Sequence, residues 1–210
     1  MRTRYFGGGT PSLCAPEAVA GLLDHAATLF DCTAAEETTL EANPDDLTPA
    51  YLAALRRAGV NRLSVGIQSF DDRHLQALGR IHGRADAIAA AEAALTHFEA
   101  VNLDLMYALP GQTLAEADAD LTTALALGPG HLSCYHLTLE PNTAFAANPP
   151  QVPDPDASAD MQDRIEARLG EAGVHLAGQR EHRPRGPRLL VQPQRRHGAL
   201  LRSPGGGSQP

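Results

Sequence analysis

Cysteine is scarce in this chain and poorly placed for metal. The 210 residues hold three cysteines, Cys14, Cys32 and Cys134, no two of them closer than 18 positions. That set excludes a disulfide framework and points to reduced thiols in a cytoplasmic protein. Cys134 lies in a strand-like segment and reads as a packing residue rather than a ligand. Aromatics make up only 4% of the chain, so alanine and leucine must fill the core, a composition that favours helices. No stretch of about 18 apolar residues occurs, and no membrane span is expected. Met1-Arg2-Thr3-Arg4 has neither the apolar stretch nor the cleavage site of a signal peptide.

Basic charge is also unevenly distributed. From Gly178 to Pro210 there are seven arginines and one acidic residue, about +6, whereas the preceding 177 residues carry ten basic and twenty-four acidic groups, about −14. An acidic globular part argues against nucleic acid as a partner, because that binding needs basic surface to replace phosphate counterions. The basic tail has no aromatic side chain on which a base could stack.

What is present is a regular alternation. Arg4–Gly7 reads as the end of a buried strand. Pro16–Phe30 follows with Val19, Leu22, Leu23, Ala26 and Phe30 near helical spacing. Thr38–Pro44 is a strand stopped by proline. Thr48 and Pro49 supply the N-cap and first position of a helix with Leu52 and Leu55 inward and Gly59 as its stop. Arg62–Gln68 is the third strand, followed by a short helix with Leu75 and Leu78. A longer helix, Arg84–Phe98, carries Ile88, Ala91, Leu95 and Phe98. Val101–Met106 is the fourth strand. Thr113-x-x-Glu116 is a capping box for a helix with Leu114, Leu121 and Leu125. His131–Leu137 is the fifth strand, and a last helix carries Met161, Ile165 and Leu169. His74, His82 and His97 fall on helices or loops and are expected to be solvated.

Strands alternating with helices give an α/β fold with a parallel sheet. Ligands in such folds sit at the carboxyl ends of the strands. The polar residues fall there: Gly7–Thr10, Glu41, Gln68, Asp104 and His136–Glu140. The triple glycine brings bare backbone N–H groups toward a ligand. Each residue alone has a plainer reading. Gly7–Gly9 fits a tight turn, Glu41 a solvated strand end, Gln68 and Asp104 helix caps, and Arg80 a surface side chain. Their coincidence on one rim is what argues for a cofactor site.

Six ordered stretches carry a resemblance: Tyr5–Leu13 (YFGGGTPSL), Leu40–Pro44 (LEANP), Gly59–Phe70 (GVNRLSVGIQSF), Leu78–His82 (LGRIH), Asn102–Pro110 (NLDLMYALP) and His131–Thr143 (HLSCYHLTLEPNT). Over residues 4–175 the chain resembles the radical S-adenosylmethionine (radical SAM) proteins of the oxygen-independent coproporphyrinogen III oxidase family, closest to the branch of heme chaperones. The resemblance implies a partial (β/α)6 barrel with SAM at its mouth beside a [4Fe-4S] cluster. It implies that Gly8, Gly9 and Thr10 contact SAM by backbone and hydroxyl, that Glu41 binds its polar end, and that Gln68, Arg80 and Asp104 complete the site. It further implies heme or a porphyrinogen as ligand and heme-accepting proteins as partners.

The same resemblance exposes what this chain lacks. The family's Cys-x-x-x-Cys-x-x-Cys loop follows a first strand, and thiolates at such short spacing hold the cluster. Neither that loop nor the family's His-Asn-x-x-Tyr-Trp segment is present in these 210 residues. The chain is therefore expected to be a partial core over 1–177 lacking its first strand. The disordered basic tail over 178–210 is expected to read like a shifted frame. No residue is assigned a catalytic or metal-ligating role, and the polypeptide alone is expected to be inactive.

Overall fold

The computed structural model describes residues 1–172, 175–176 and 188–192. Every strand expected from the sequence is present: β1 (Thr3–Phe6), β2 (Glu37–Ala42), β3 (Arg62–Gln68), β4 (Ala100–Tyr107) and β5 (His131–His136). Each pairs in parallel with the next. Two further strands, β6 (His175–Leu176) and β7 (Arg188–Gln192), extend the sheet in the order β1-β2-β3-β4-β5-β7-β6. Most of the tail expected to be disordered lies outside the described residues. The segment described within it, β7, pairs in parallel with β5.

The connecting helices are α1 (Pro16–Leu29), α2 (Pro49–Arg57), α3 (Asp72–Ala77), α4 (Arg84–His97), α5 (Leu114–Leu127), α6 (Ala144–Ala147) and α7 (Pro155–Glu171). Their starts follow the sequence signals. The Thr48 side chain accepts from Tyr51 N–H with Pro49 just inside the helix. Thr113 and Glu116 cap each other's backbone N–H groups, at 2.8 and 3.3 Å. Helix faces match in part. In α7, Met161, Ile165 and Leu169 are buried as the spacing predicts. In α4 the buried stripe is Ala87, Ala90, Ala91 and Ala94, while Ile88 and Leu95 are only partly covered. Alanines let this helix sit close to β3 and β4, which leaves the larger side chains to its flanks. In α1 only Val19 and Leu23 are buried, and Leu22 and Phe30 are exposed.

The two faces of the sheet differ in chemistry. Leu63, Val65 and Ile67 of β3 and Val101, Leu103 and Leu105 of β4 join the core under the helices. Full burial of each such side chain contributes about 1.5–3 kcal/mol. Cys134 lies in the same apolar layer, as its packing assignment requires. Alternate residues face the other way. Ser64, Gly66 and Gln68 of β3 and Asp104 and Met106 of β4 line a cavity. A closed barrel fills its interior with branched apolar side chains. The inner face here is polar, so it is shaped for a polar guest or water rather than for a second core.

Candidate functional site

The loop after β1 is held by the strand next to it. Tyr5 donates its phenolic hydrogen to Glu41 Oε1 at 2.6 Å, and the Gly8 N–H donates to Oε2 at 3.1 Å. Burial and the Glu41 bond together push the Tyr5 phenol well above its ordinary pKa. Ser12, at the end of the same motif, donates to Asp46 at 2.5 Å and accepts from the Asn43 N–H at 3.1 Å. The glycine-rich loop and the Glu-Ala-Asn-Pro segment are thus one structural unit. The three glycines serve it differently. Gly8 and Gly9 have φ of 86° and 63°, a region that side chains rarely adopt. At Gly7 the constraint is space: a Cβ there would lie 2.6 Å from Tyr5 Cε1 and 3.0 Å from Glu41 Oε2.

β3 ends in an irregularity. Its register against β4 shifts between Gly66 and Gln68, and Gln68 takes φ of 69°. A bulge with a left-handed non-glycine residue re-aims a side chain at some energetic cost. Here it brings the Gln68 amide over Gly66, where a Cβ would meet Gln68 Nε2 at 2.8 Å.

β4 contributes Asp104, bound by Ser64 Oγ at 2.8 Å and Asn102 Nδ2 at 2.8 Å. Asn102 in turn accepts from Ser133 Oγ at 3.1 Å, so the network crosses β3, β4 and β5. Burial raises the Asp104 pKa above the usual aspartate value. The hydrogen bonds from Ser64 and Asn102 oppose the rise, and the nearby Glu41 charge adds to it.

Arg80, in the loop after α3, donates to Asn43 Oδ1 at 3.1 Å. Glu41, Gln68, Arg80 and Asp104 all line one cavity of about 300 Å³, together with Gly9, Thr10 and Tyr135, a size suited to a small ligand. The Gly8 N–H is engaged by Glu41. The ionisable groups on the wall are two carboxylates, one guanidinium and the Tyr135 phenol.

Two histidine expectations are corrected. His74 and His82 are 2% and 3% exposed rather than solvated. His82 Nε2 lies 3.5 Å from the Ile67 carbonyl oxygen and its Nδ1 lies 3.6 Å from Asp45. His74 Nε2 is 3.4 Å from Glu116. His74 lies on α3 against the first turn of α5, and His82 lies in the segment before α4. His97 is half-buried, with Nδ1 2.8 Å from the Ala93 carbonyl oxygen. One residue escaped the sequence reading altogether. Asp120 of α5 is buried and accepts from Ser69 Oγ at 2.7 Å and Phe70 N–H at 2.6 Å. The available signal was a charge on the apolar stripe of α5, one position from Leu121.

The Radical SAM superfamily profile matches residues 2–124. The chain belongs to the radical SAM superfamily. It is 45% identical over 174 residues to the heme chaperone HemW of Escherichia coli, covering 82% of this chain and 46% of that protein. It is 44% identical over 174 residues to the mouse mitochondrial protein radical S-adenosyl methionine domain-containing protein 1, covering 80% of this chain and 39% of that one. Among solved structures it matches coproporphyrinogen III oxidase (HemN) of Escherichia coli with a TM-score of 0.73 and 26% identity, over 82% of this chain and 41% of that one. The α/β fold is therefore that of the radical SAM proteins. The chain spans less than half the length of these relatives. Among the described residues no helix is long and apolar enough to cross a membrane.

The superfamily implies SAM and a [4Fe-4S] cluster in intact members. This chain's cysteines do not fit the cluster. Cys14 is exposed, Cys32 is half-buried, and Cys134 is enclosed in the core with its thiol pushed up to about 12 by burial. Such a buried, protonated thiol is no metal ligand. The cavity residues do fit SAM. Its ammonium and sulfonium carry two positive charges and its carboxylate one negative charge, the complement of Glu41, Asp104 and Arg80.

Proposed function

We propose that this chain forms the SAM-binding part of a heme-chaperone-like radical SAM protein. One observation carries the reading: Glu41, Gln68, Arg80 and Asp104, distant in sequence, line a single polar cavity at the strand ends. In this reading Glu41 and Asp104 bind the cationic groups of SAM. Arg80 forms a fork to its carboxylate, Gly9 and Thr10 offer backbone and hydroxyl contacts, and Gln68 closes the wall. Gly8 acts indirectly, by fixing Glu41. Bound SAM supplies a sulfonium–carbon bond that can be cleaved when an electron is delivered. The residues of this chain hold and orient it, and the electron source lies elsewhere.

The heme-chaperone assignment rests on the 45% identity to a protein of that name. Heme and heme-accepting proteins are proposed as partners of the longer protein, not of the cavity described above. A second reading, oxidation of a porphyrinogen, is favoured by the structural match to HemN. Heme titration set against porphyrinogen turnover, on a protein carrying this chain within its full length, separates the two.

The test of the SAM site is isothermal titration of the purified chain with SAM. One saturable site, lost in the Glu41→Gln/Asp104→Asn double variant, supports the proposal. No saturable binding, or binding unchanged in the double variant, removes it. Anaerobic iron and sulfide reconstitution is expected to leave this chain without a stable cluster chromophore. A stoichiometric cluster that cleaves SAM would refute that expectation.

A further inference from the structure

Three non-glycine residues among those described have a left-handed backbone: Gln68, Ala108 and Asn142. Two of them follow adjacent strands. Gln68 ends β3, and Ala108 directly follows the end of β4. Such residues persist only where surrounding contacts over-determine them. Those contacts converge on one side chain. Asp120 is 4% exposed and lies on α5, outside the cavity wall. Its Oδ2 accepts from Ser69 Oγ at 2.7 Å and its Oδ1 from Phe70 N–H at 2.6 Å, so both oxygens hold the two residues after Gln68. Gln112 Nε2 approaches Oδ2 at 3.5 Å, while Gln112 Oε1 accepts from Leu109 N–H at 3.1 Å, the residue after Ala108. Ser69 Oγ also accepts from Asp71 N–H at 3.0 Å, which ties in the start of α3. A single carboxylate therefore clamps the exit of β3 and approaches, through Gln112, the exit of β4.

We propose that Asp120 is a positioning residue for the ligand cavity: it fixes the left-handed turn at Gln68 and so holds the Gln68 amide over Gly66, on the cavity wall. The inference deepens the SAM reading and rests on it for the identity of the ligand. The clamp itself concerns only this chain's residues. Replacing Asp120 by Asn keeps the size of the side chain but exchanges one acceptor for a donor. Ser69 Oγ must then turn from donor to acceptor, both bonds lose their charge assistance, and the turn relaxes toward ordinary backbone angles. Gln68 swings off Gly66 although no residue of the cavity wall has been substituted.

The experiment is a double-mutant cycle on the full chain, with SAM as the probe in calorimetry. Asp120→Asn is expected to weaken binding about tenfold, as is Gln68→Ala, and the double variant to be no weaker than either alone. Losses that multiply in the double variant would show a merely structural role and overturn the proposal, as would unchanged binding in Asp120→Asn. Should Asp120→Asn fail to fold, Ser69→Ala removes one strut of the clamp and is expected to give a smaller loss with the same dependence on Gln68. Additive losses there also overturn it. The Gln68 side-chain amide resonance, read without ligand, gives an independent result. It must shift in Asp120→Asn while that of Asn102 stays in place, and an unmoved Gln68 resonance sinks the idea. If the unmodified chain binds no SAM, the functional reading fails, and the resonance still decides the clamp.

Discussion

Tyr5 and Glu41 meet across the first two strands, hydroxyl to carboxylate, at 2.6 Å. The bond joins an exposed edge-strand side chain to a cavity-wall acid, so its worth is to orient Glu41 rather than to stabilise the fold. Tyr5→Phe removes the hydroxyl alone. Because Tyr5 is 59% exposed, thermal stability is expected to stay within about 0.5 kcal/mol. SAM affinity is expected to fall by roughly 1 kcal/mol, the net scale of one typical hydrogen bond. Calorimetry beside a melting curve checks both.

The glycines before the loop divide by mechanism. Gly7→Ala drives a methyl group against the Tyr5 ring and the Glu41 carboxylate, so it should break the Tyr5–Glu41 bond and lose at least as much SAM affinity as Tyr5→Phe. Gly8→Ala and Gly9→Ala meet nothing within 4 Å. Their penalty is conformational, roughly 1–2 kcal/mol each in folding stability. Urea denaturation of the three variants, with SAM titration of each, distinguishes clash from backbone strain.

Gly66 is the floor on which the Gln68 amide rests. Gly66→Ala places a methyl group 2.8 Å from Gln68 Nε2, within reach of a flexible side chain that can move aside. The fold should survive with little loss, and SAM binding should weaken about as much as in Gln68→Ala. Matching affinities for the two variants would confirm that the glycine serves the side chain two residues on.

The pH dependence of stability follows from opposite carboxylates. Asp104 is raised by burial, so the folded state holds its proton to a higher pH than the unfolded chain. Its contribution is fully present below the ordinary aspartate pKa and is lost as pH rises through the folded value. Glu116 is held down to about 2, chiefly by the Thr113 backbone N–H and then by Arg73. It contributes stability above the ordinary glutamate pKa that is lost as pH falls toward 2. In Asp104→Asn the first component should vanish from a urea-midpoint profile and the second remain. A dicationic ligand end favours ionised Asp104, so SAM affinity should climb as pH rises through the folded Asp104 pKa.

The sequence made the rim legible because the apolar strand residues give way to polar ones at Glu41 and Gln68, near the ends of β2 and β3, whereas Asp104 lies inside β4, three residues before its end. Capping at Thr48 and Thr113 was legible for the same local reason. The face of α4 was not: an alanine-rich helix has no strong apolar side, and packing distance chose the alanine stripe. The glycine turn with its exposed N–H groups is legible at Gly8, whereas the approach of Glu41 to that N–H comes from the pairing of β1 with β2. The burial of His74 and His82 and the clamp at Asp120 depend on contacts 37 to 51 residues apart, which no local pattern encodes.

The most direct test of the central claim is a crystal structure of this chain soaked with SAM. The account predicts ligand density in the hollow between Glu41, Gln68 and Asp104, with the SAM carboxylate toward Arg80 and its cationic groups toward the two acids. Density bound elsewhere on the molecule, with that hollow holding only solvent, would contradict it.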